Sequence, residues 1–215
     1  FNPVARMPLV EVVAPRGGLA VSRERALSFV HALGKLPLPV ASAPGFLVNA
    51  ALAPYLFEAL RCVEDGILPA TIDEAMLAWG MAIGPVELVD RIGLDVALAA
   101  GRGLGLEPVP AQLTERVAAG QLGAKSGEGY YRWKDGRPQT GTAPGAAPGL
   151  AERLVAPLVA AVREVLARGV VADADLADAG MIFGAGFPPF TGGPLHAEAR
   201  RPAPHSVDDE DAVFP

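Results

Sequence analysis

Residues 44–66 read PGFLVNAALAPYLFEALRCVEDG. Pro44 suits a first helical turn and Gly66 a stop, so the stretch predicts one long helix, largely apolar. Pro54 falls inside it, where a proline removes a backbone donor, frees the Ala50 carbonyl and kinks the axis. Asn49 stands five residues earlier among apolar neighbours. Taken from the residues alone it has two readings: an amide satisfying the loosened backbone, or a polar group beside a cleft that the kink opens.

Upstream, Ser22 is placed to cap a helix ending near His31–Leu33 with Gly34 as its stop, and LPLPVAS (36–42) reads as extended. Before that helix lies FNPVARMPLVEVV (1–13), where the β-branched run Leu9–Val13 carries a carboxylate, Glu11, at its centre. An ionised carboxylate without a partner costs several kcal/mol to remove from water. Either Glu11 faces solvent from an edge strand, or a group nearby needs its charge.

Downstream the pattern is helix after helix. Thr71–Glu74 reads as a capping box and Gly80 closes that helix. Gly84-Pro85 opens VELVDRIG, Asp95 caps DVALAA, and Pro110 to Gly120 makes one more. KSGEGYYRWKDGRP (125–138) differs: Tyr130–Trp133 favours a strand and Asp135-Gly136 a hairpin turn. QTGTAPGAAPG (139–149) has almost no bulky apolar residue and reads as a linker. GLAERLVAPLVAAVREVLARG (149–169) restores helical spacing, and the acidic RPAPHSVDDEDAVFP (201–215) reads as a disordered tail.

A duplication underlies this order. LFEALRCVEDG from Leu56, an acid-started helix and GMAIGP are echoed by LVAAVREVLARG from Leu158, DADLADAGMIFG and GAGFPP. In that layout Gly66–Gly80 parallels Gly169–Gly184, and Pro85 parallels Pro189. The division is a first repeat over 1–136, a linker over 137–148, a second, partial repeat over 149–198 and a tail over 199–215.

The bulk figures bound the function. A net charge of −6 over 215 residues, with an isoelectric point near 5.1, argues against nucleic-acid and anionic-membrane footprints. No apolar stretch reaches the roughly 18–20 residues of a membrane span. Cys62, the single cysteine, excludes an internal disulfide and reads as a structural thiol. No GxGxxG or Walker motif occurs, and His31, His196 and His205 lack ligand spacing, so no metal site is indicated. The chain has no secretory leader and no starting Met, and reads as part of a longer polypeptide.

Together FNPVARMPLVEVV, PGFLVNAALAPYLFEAL and GMAIGPVELVDRIGLD resemble the C-terminal substrate domain of the 3-hydroxyacyl-CoA dehydrogenases. KSGEGYYRW resembles the segment closing that domain, and GAGFPPFTGGPL resembles the second copy found in multifunctional fatty-acid oxidation proteins that also carry an enoyl-CoA hydratase module. The resemblance covers residues 1 to about 197. It implies an all-α fold like the C-terminal domain of 6-phosphogluconate dehydrogenase, in two tandem repeats with a short N-terminal strand and a small hairpin. It also implies NAD as cofactor, a coenzyme A thioester as substrate, and a cytoplasmic setting. The implied partners are the protein's own N-terminal nucleotide-binding domain, a thiolase subunit and a second copy of the chain.

By the same resemblance Phe1 matches the second phenylalanine of a His-Phe-Phe-Asn-Pro motif, whose catalytic histidine would lie two positions before residue 1. Glu11 matches the glutamate that holds and charges that histidine, and Asn49 matches a substrate-polarising asparagine. The arginine usual after that asparagine is Ala50 here, which puts the contacts of that turn in doubt. The second repeat carries no counterpart of Asn49 and reads as structural; Lys125 and Ser126 could approach the CoA side, while a tight turn explains Gly127 and Gly129 without any ligand. Two other readings stay open: a dedicated dehydrogenase of aromatic-compound degradation with tandem C-domains, and a helical assembly module that catalyses nothing.

Overall fold

The computed structural model describes residues 4–14, 17 and 19–200, and the acidic tail lies outside them. In chain order the elements are β1 (Leu9–Ala14), α1 (Ala20–Ala32), β2 (Leu36–Ala41), α2 (Val48–Glu64), α3 (Pro69–Trp79), α4 (Pro85–Ile92), α5 (Leu94–Gly103), α6 (Ala111–Ala118), β3 (Arg132–Lys134), β4 (Arg137–Gln139), α7 (Leu150–Ala167), α8 (Ala174–Ala185) and α9 (Pro194–Ala199). The fold is mainly helical, as the pattern of stops and caps predicts.

The strand and the extended segment at the front turn out to be one unit. β1 and β2 pair in parallel, Glu11 opposite Leu38, with α1 as the crossover. Side chains of a strand alternate between faces. Leu9 and Leu38 point at the helices, where they meet Gly184 and Gly180 of α8. Glu11 shares their parity, so its carboxylate faces the helical body and not the solvent side. α1 begins at Ala20 rather than after a Ser22 cap, with Leu19 before it.

α2 and α7 form the centre and pack on each other more extensively than any other pair of helices. Tyr55, Phe57, Leu60, Leu154 and Leu158 are fully buried there. α2 continues uninterrupted through Pro54 but begins only at Val48, because Pro44–Leu47 form a turn. α3, by contrast, starts earlier than its capping box predicts: Pro69 occupies the first turn, and the Thr71 hydroxyl donates to the Pro144 carbonyl.

Asp73, read from sequence as part of that box, does something else. It is buried, and its carboxylate accepts from the Val86 and Glu87 amides at the start of α4 (2.8 and 2.9 Å) and from the Tyr131 hydroxyl (2.7 Å). Asp178 of α8 repeats the arrangement on α9, accepting from the Leu195 and His196 amides at 2.8 and 3.0 Å. A side chain at Gly84 would strike Asp73, and one at Gly193 would strike Asp178. The counterpart of Gly84-Pro85 is therefore Gly193-Pro194, not Pro189. The tight turn at Pro189–Thr191 is extra chain that displaces the match by five residues.

Candidate functional site

Glu11 ends at the N-terminus of α2. Its Oε1 accepts from the Leu47 amide at 2.8 Å and the Val48 amide at 3.2 Å. These are first-turn donors with no partner inside the helix, and the helix dipole adds positive potential at the same place. So the charge in the apolar strand does have a nearby use. Burial raises the Glu11 pKa above the ordinary carboxylate range, while the two amide bonds pull it down.

The backbone leading into α2 is shaped for this contact. Gly45 and Phe46 are both left-handed (φ +73° and +48°), and Leu47 returns to right-handed values at −91°, −59°. Alternating hands aim consecutive amides into one concavity, the geometry that cradles anions. Leu47 and Val48 are buried, and their side chains pack onto Gly180 and Gly184 of α8.

Asn49 follows directly on Val48, so the structure brings both sequence-derived site residues to one end of α2. It does not enclose the amide, however: Asn49 is exposed. The apolar residues beside it in sequence belong to the buried face, and Asn49 points off that face. Among the described residues no histidine hydrogen-bonds Glu11, since both donors are backbone amides on Oε1. Lys125 pairs with Asp95, and the Ser126 hydroxyl donates to the Gly123 and Glu128 carbonyls, so both are engaged in the local turn.

Sequence reasoning missed the carboxylates that hold the site's surroundings together. Asp90 is fully buried and accepts from the Tyr130 and Tyr131 amides and the Trp133 indole at 2.8 to 2.9 Å. Tyr131 joins it to Asp73, so two buried acids staple KSGEGYYRW to α3 and α4. Gly129 is glycine because a β-carbon there would sit 2.3 Å from the Asp90 carboxylate. Burial pushes Asp73 up to about 6 and raises Asp90, against hydrogen bonds that lower both. No local signal could have found them, because the partners of Asp90 lie 40 to 43 residues along the chain.

With this geometry in place the chain can be set beside known proteins. The family model for the C-terminal domain of 3-hydroxyacyl-CoA dehydrogenase matches residues 45–133. That span runs from the left-handed turn through α2 to the Asp90 staple. These residues match the C-terminal domain family of the 3-hydroxyacyl-CoA dehydrogenases. The chain is also 33% identical over 216 residues to the fatty acid oxidation complex subunit alpha of Shewanella sp. (strain W3-18-1), a match covering 91% of this chain and 30% of the relative. It thus spans about 30% of the length of the curated relatives it matches. The crystal structure of (S)-3-hydroxybutyryl-CoA dehydrogenase from Ralstonia eutropha is similar at 37% identity and a TM-score of 0.60, over 63% of this chain and 50% of that one. The fold alone is shared with the 3-hydroxybutyryl-CoA dehydrogenase of Escherichia coli, at 24% identity and a TM-score of 0.76, over 93% of this chain and 62% of that one. Asn49 lies in the matched span, whereas Glu11 lies upstream of it on β1 and reaches its first residues through space.

Proposed function

We propose that this chain is the substrate-facing helical part of an NAD-dependent 3-hydroxyacyl-CoA dehydrogenase of fatty-acid β-oxidation, which converts a 3-hydroxyacyl-CoA and NAD to the 3-oxoacyl-CoA and NADH. The observation that carries the reading is Glu11 docked on the first turn of α2, one residue from Asn49. In this reading NAD, the hydride acceptor, is held by a separate nucleotide-binding unit of the protein, whose GxGxxG-type strand–helix cradle has no counterpart among the described residues. What the chain's own residues do is electrostatic. Glu11 keeps a negative charge beside the reacting centre, where it favours a protonated imidazole delivered by that unit as it takes the proton of the 3-hydroxyl. Asn49, exposed at the same helix end, is free to donate to the substrate oxygen as charge develops on it.

The β-unit supports the partner. A two-stranded parallel sheet is half a structure, since parallel sheets are normally wider and covered on both faces. β2 is closed to further pairing: Pro37 and Pro39 have no N–H for its outer edge, and the Ala41 amide is taken by the Val170 carbonyl at 2.8 Å. The outer edge of β1 carries the backbone groups of Leu9, Glu11 and Val13, with no further strand among the described residues. A strand of the protein's own nucleotide-binding domain fits there and would bring that domain alongside Glu11. No described helix is long and apolar enough to cross a membrane. A thiolase subunit, a second copy of the chain and a cytoplasmic setting complete the proposal.

In the intact dehydrogenase, Asn49→Ala should lower kcat by about 10²–10³-fold, the usual loss of an oxyanion donor, without unfolding the protein. Residues 1–215 by themselves should not turn over 3-hydroxyacyl-CoA with NAD. Wild-type-like turnover by this chain alone would overturn the proposal. The rival reading, a helical assembly module, requires Asn49→Ala and wild type to behave alike in every kinetic assay.

A further inference from the structure

We propose that the turn Gly45–Phe46–Leu47, backed by α8 of the second half, is the positioning device for Glu11: it fixes two amides on one carboxylate oxygen and leaves the other oxygen to the reacting centre. The inference rests on the reading of Glu11 as the site's carboxylate, and it gives the second half a part in the site. Phe46 is the key. A bulky, non-glycine residue at φ +48° is a genuine outlier, and such conformations persist only where the surroundings impose them.

The surroundings do impose it. The Phe46 amide donates to the Ala43 carbonyl, and the Gly45 carbonyl accepts from the Ala50 amide, both at 3.1 Å. A β-carbon on Gly45 would lie 2.8 Å from the Ala50 nitrogen and 2.9 Å from Leu104 Cδ2, so the turn has no room to relax. From the other side, Gly180 and Gly184 admit the Leu47 and Val48 side chains into α8; a β-carbon at either would come within 2.7 Å of them. The amides of Leu47 and Val48 are thus held by local backbone and by packing from a segment some 130 residues away. Glu11 reaches them from β1 with a single oxygen.

First-turn helix amides exchange freely with solvent unless capped, so hydrogen exchange of the Leu47 and Val48 amides reads the device directly in the full chain. Wild type should protect both, and Glu11→Gln should weaken that protection. Phe46→Gly tolerates the left-handed backbone and should keep it, whereas Phe46→Val, equally without the phenyl ring but β-branched, should lose it. If Phe46→Val does not fold, Gly45→Ala tests the same point through its clash with Ala50. In the intact dehydrogenase, Phe46→Val should lower kcat about tenfold or more, within the range of a misplaced acid–base group, with KM little changed. Added to Glu11→Gln it should cost no further activity, because it acts through that carboxylate. Equal protection in Phe46→Val and wild type, or fully additive losses in the double variant, would overturn the proposal. An unchanged kcat in Glu11→Gln would instead sink the catalytic reading and leave the exchange result standing.

Discussion

At the residue scale the chain is governed by three acids taken partly or wholly out of water. Each is held by backbone amides, and each has its pKa raised because burial outweighs those bonds. A folded state that holds a proton more tightly than the unfolded chain is stabilised below the carboxylate's ordinary range and loses that advantage as pH rises through the shifted value. For Asp73 that value is about 6. Thermal stability should therefore rise as pH falls from 7.5 to 5.5, and the rise should shrink in Asp73→Asn, as scanning calorimetry at the two pH values will show. Asp90→Ala leaves two amides and an indole N–H unpaired in the interior, and should cost about 3–5 kcal/mol or abolish folding, measured by urea denaturation. Glu11 was legible in advance because a charge in a β-branched run is an anomaly. Asp73 and Asp90 were not: their partners lie 13 to 58 residues away, and nothing local in the sequence announces them.

At the element scale, helices were readable from their stops, since Gly66, Gly80 and Gly169 each adopt the left-handed conformation that ends a helix. Starts were less readable. Pro44 looked like a first-turn residue and Ser22 and Thr71 like caps, but α1, α2 and α3 begin at Ala20, Val48 and Pro69, and the side-chain acceptors at α2 and α4 are the distant acids Glu11 and Asp73. The parallel pairing of β1 with β2 was hidden for a similar reason, because alternating prolines in LPLPVA do not look like a strand until one sees that only one edge is paired. Packing within helices was equally silent. Gly101 sits inside α5, and a β-carbon there would come 2.1 Å from Phe57 Cζ, a ring that is itself fully packed. Gly101→Ala should destabilise by about 1–3 kcal/mol despite its better helix propensity, and a midpoint shift in denaturant will check the sign.

At the scale of the whole molecule, α2 crosses α7 at the centre, α3 touches α7 as α8 touches α2, and Asp73 and Asp178 make the same double cap. Such reciprocal contact is what a two-fold interface produces between identical partners. We read it here as a duplication within one chain, with Pro157 standing in α7 as Pro54 does in α2. The halves are not equivalent at the site, because Glu152 occupies in α7 the place of Asn49 in α2. The order of motifs alone suggests such a duplication but not the register we propose for it, since the Pro189–Thr191 turn shifts the final match.

The measurement that bears most directly on the proposed function is the steady-state kinetics of Glu11→Gln in the full-length protein, assayed as a 3-hydroxyacyl-CoA dehydrogenase, alongside its melting curve. The neutral amide can still accept from Leu47, so folding should survive with the melting temperature within a few degrees. Turnover should fall by about 10²-fold or more if, as proposed, that charge steadies the imidazole. Full activity in a folded Glu11→Gln protein would contradict the account.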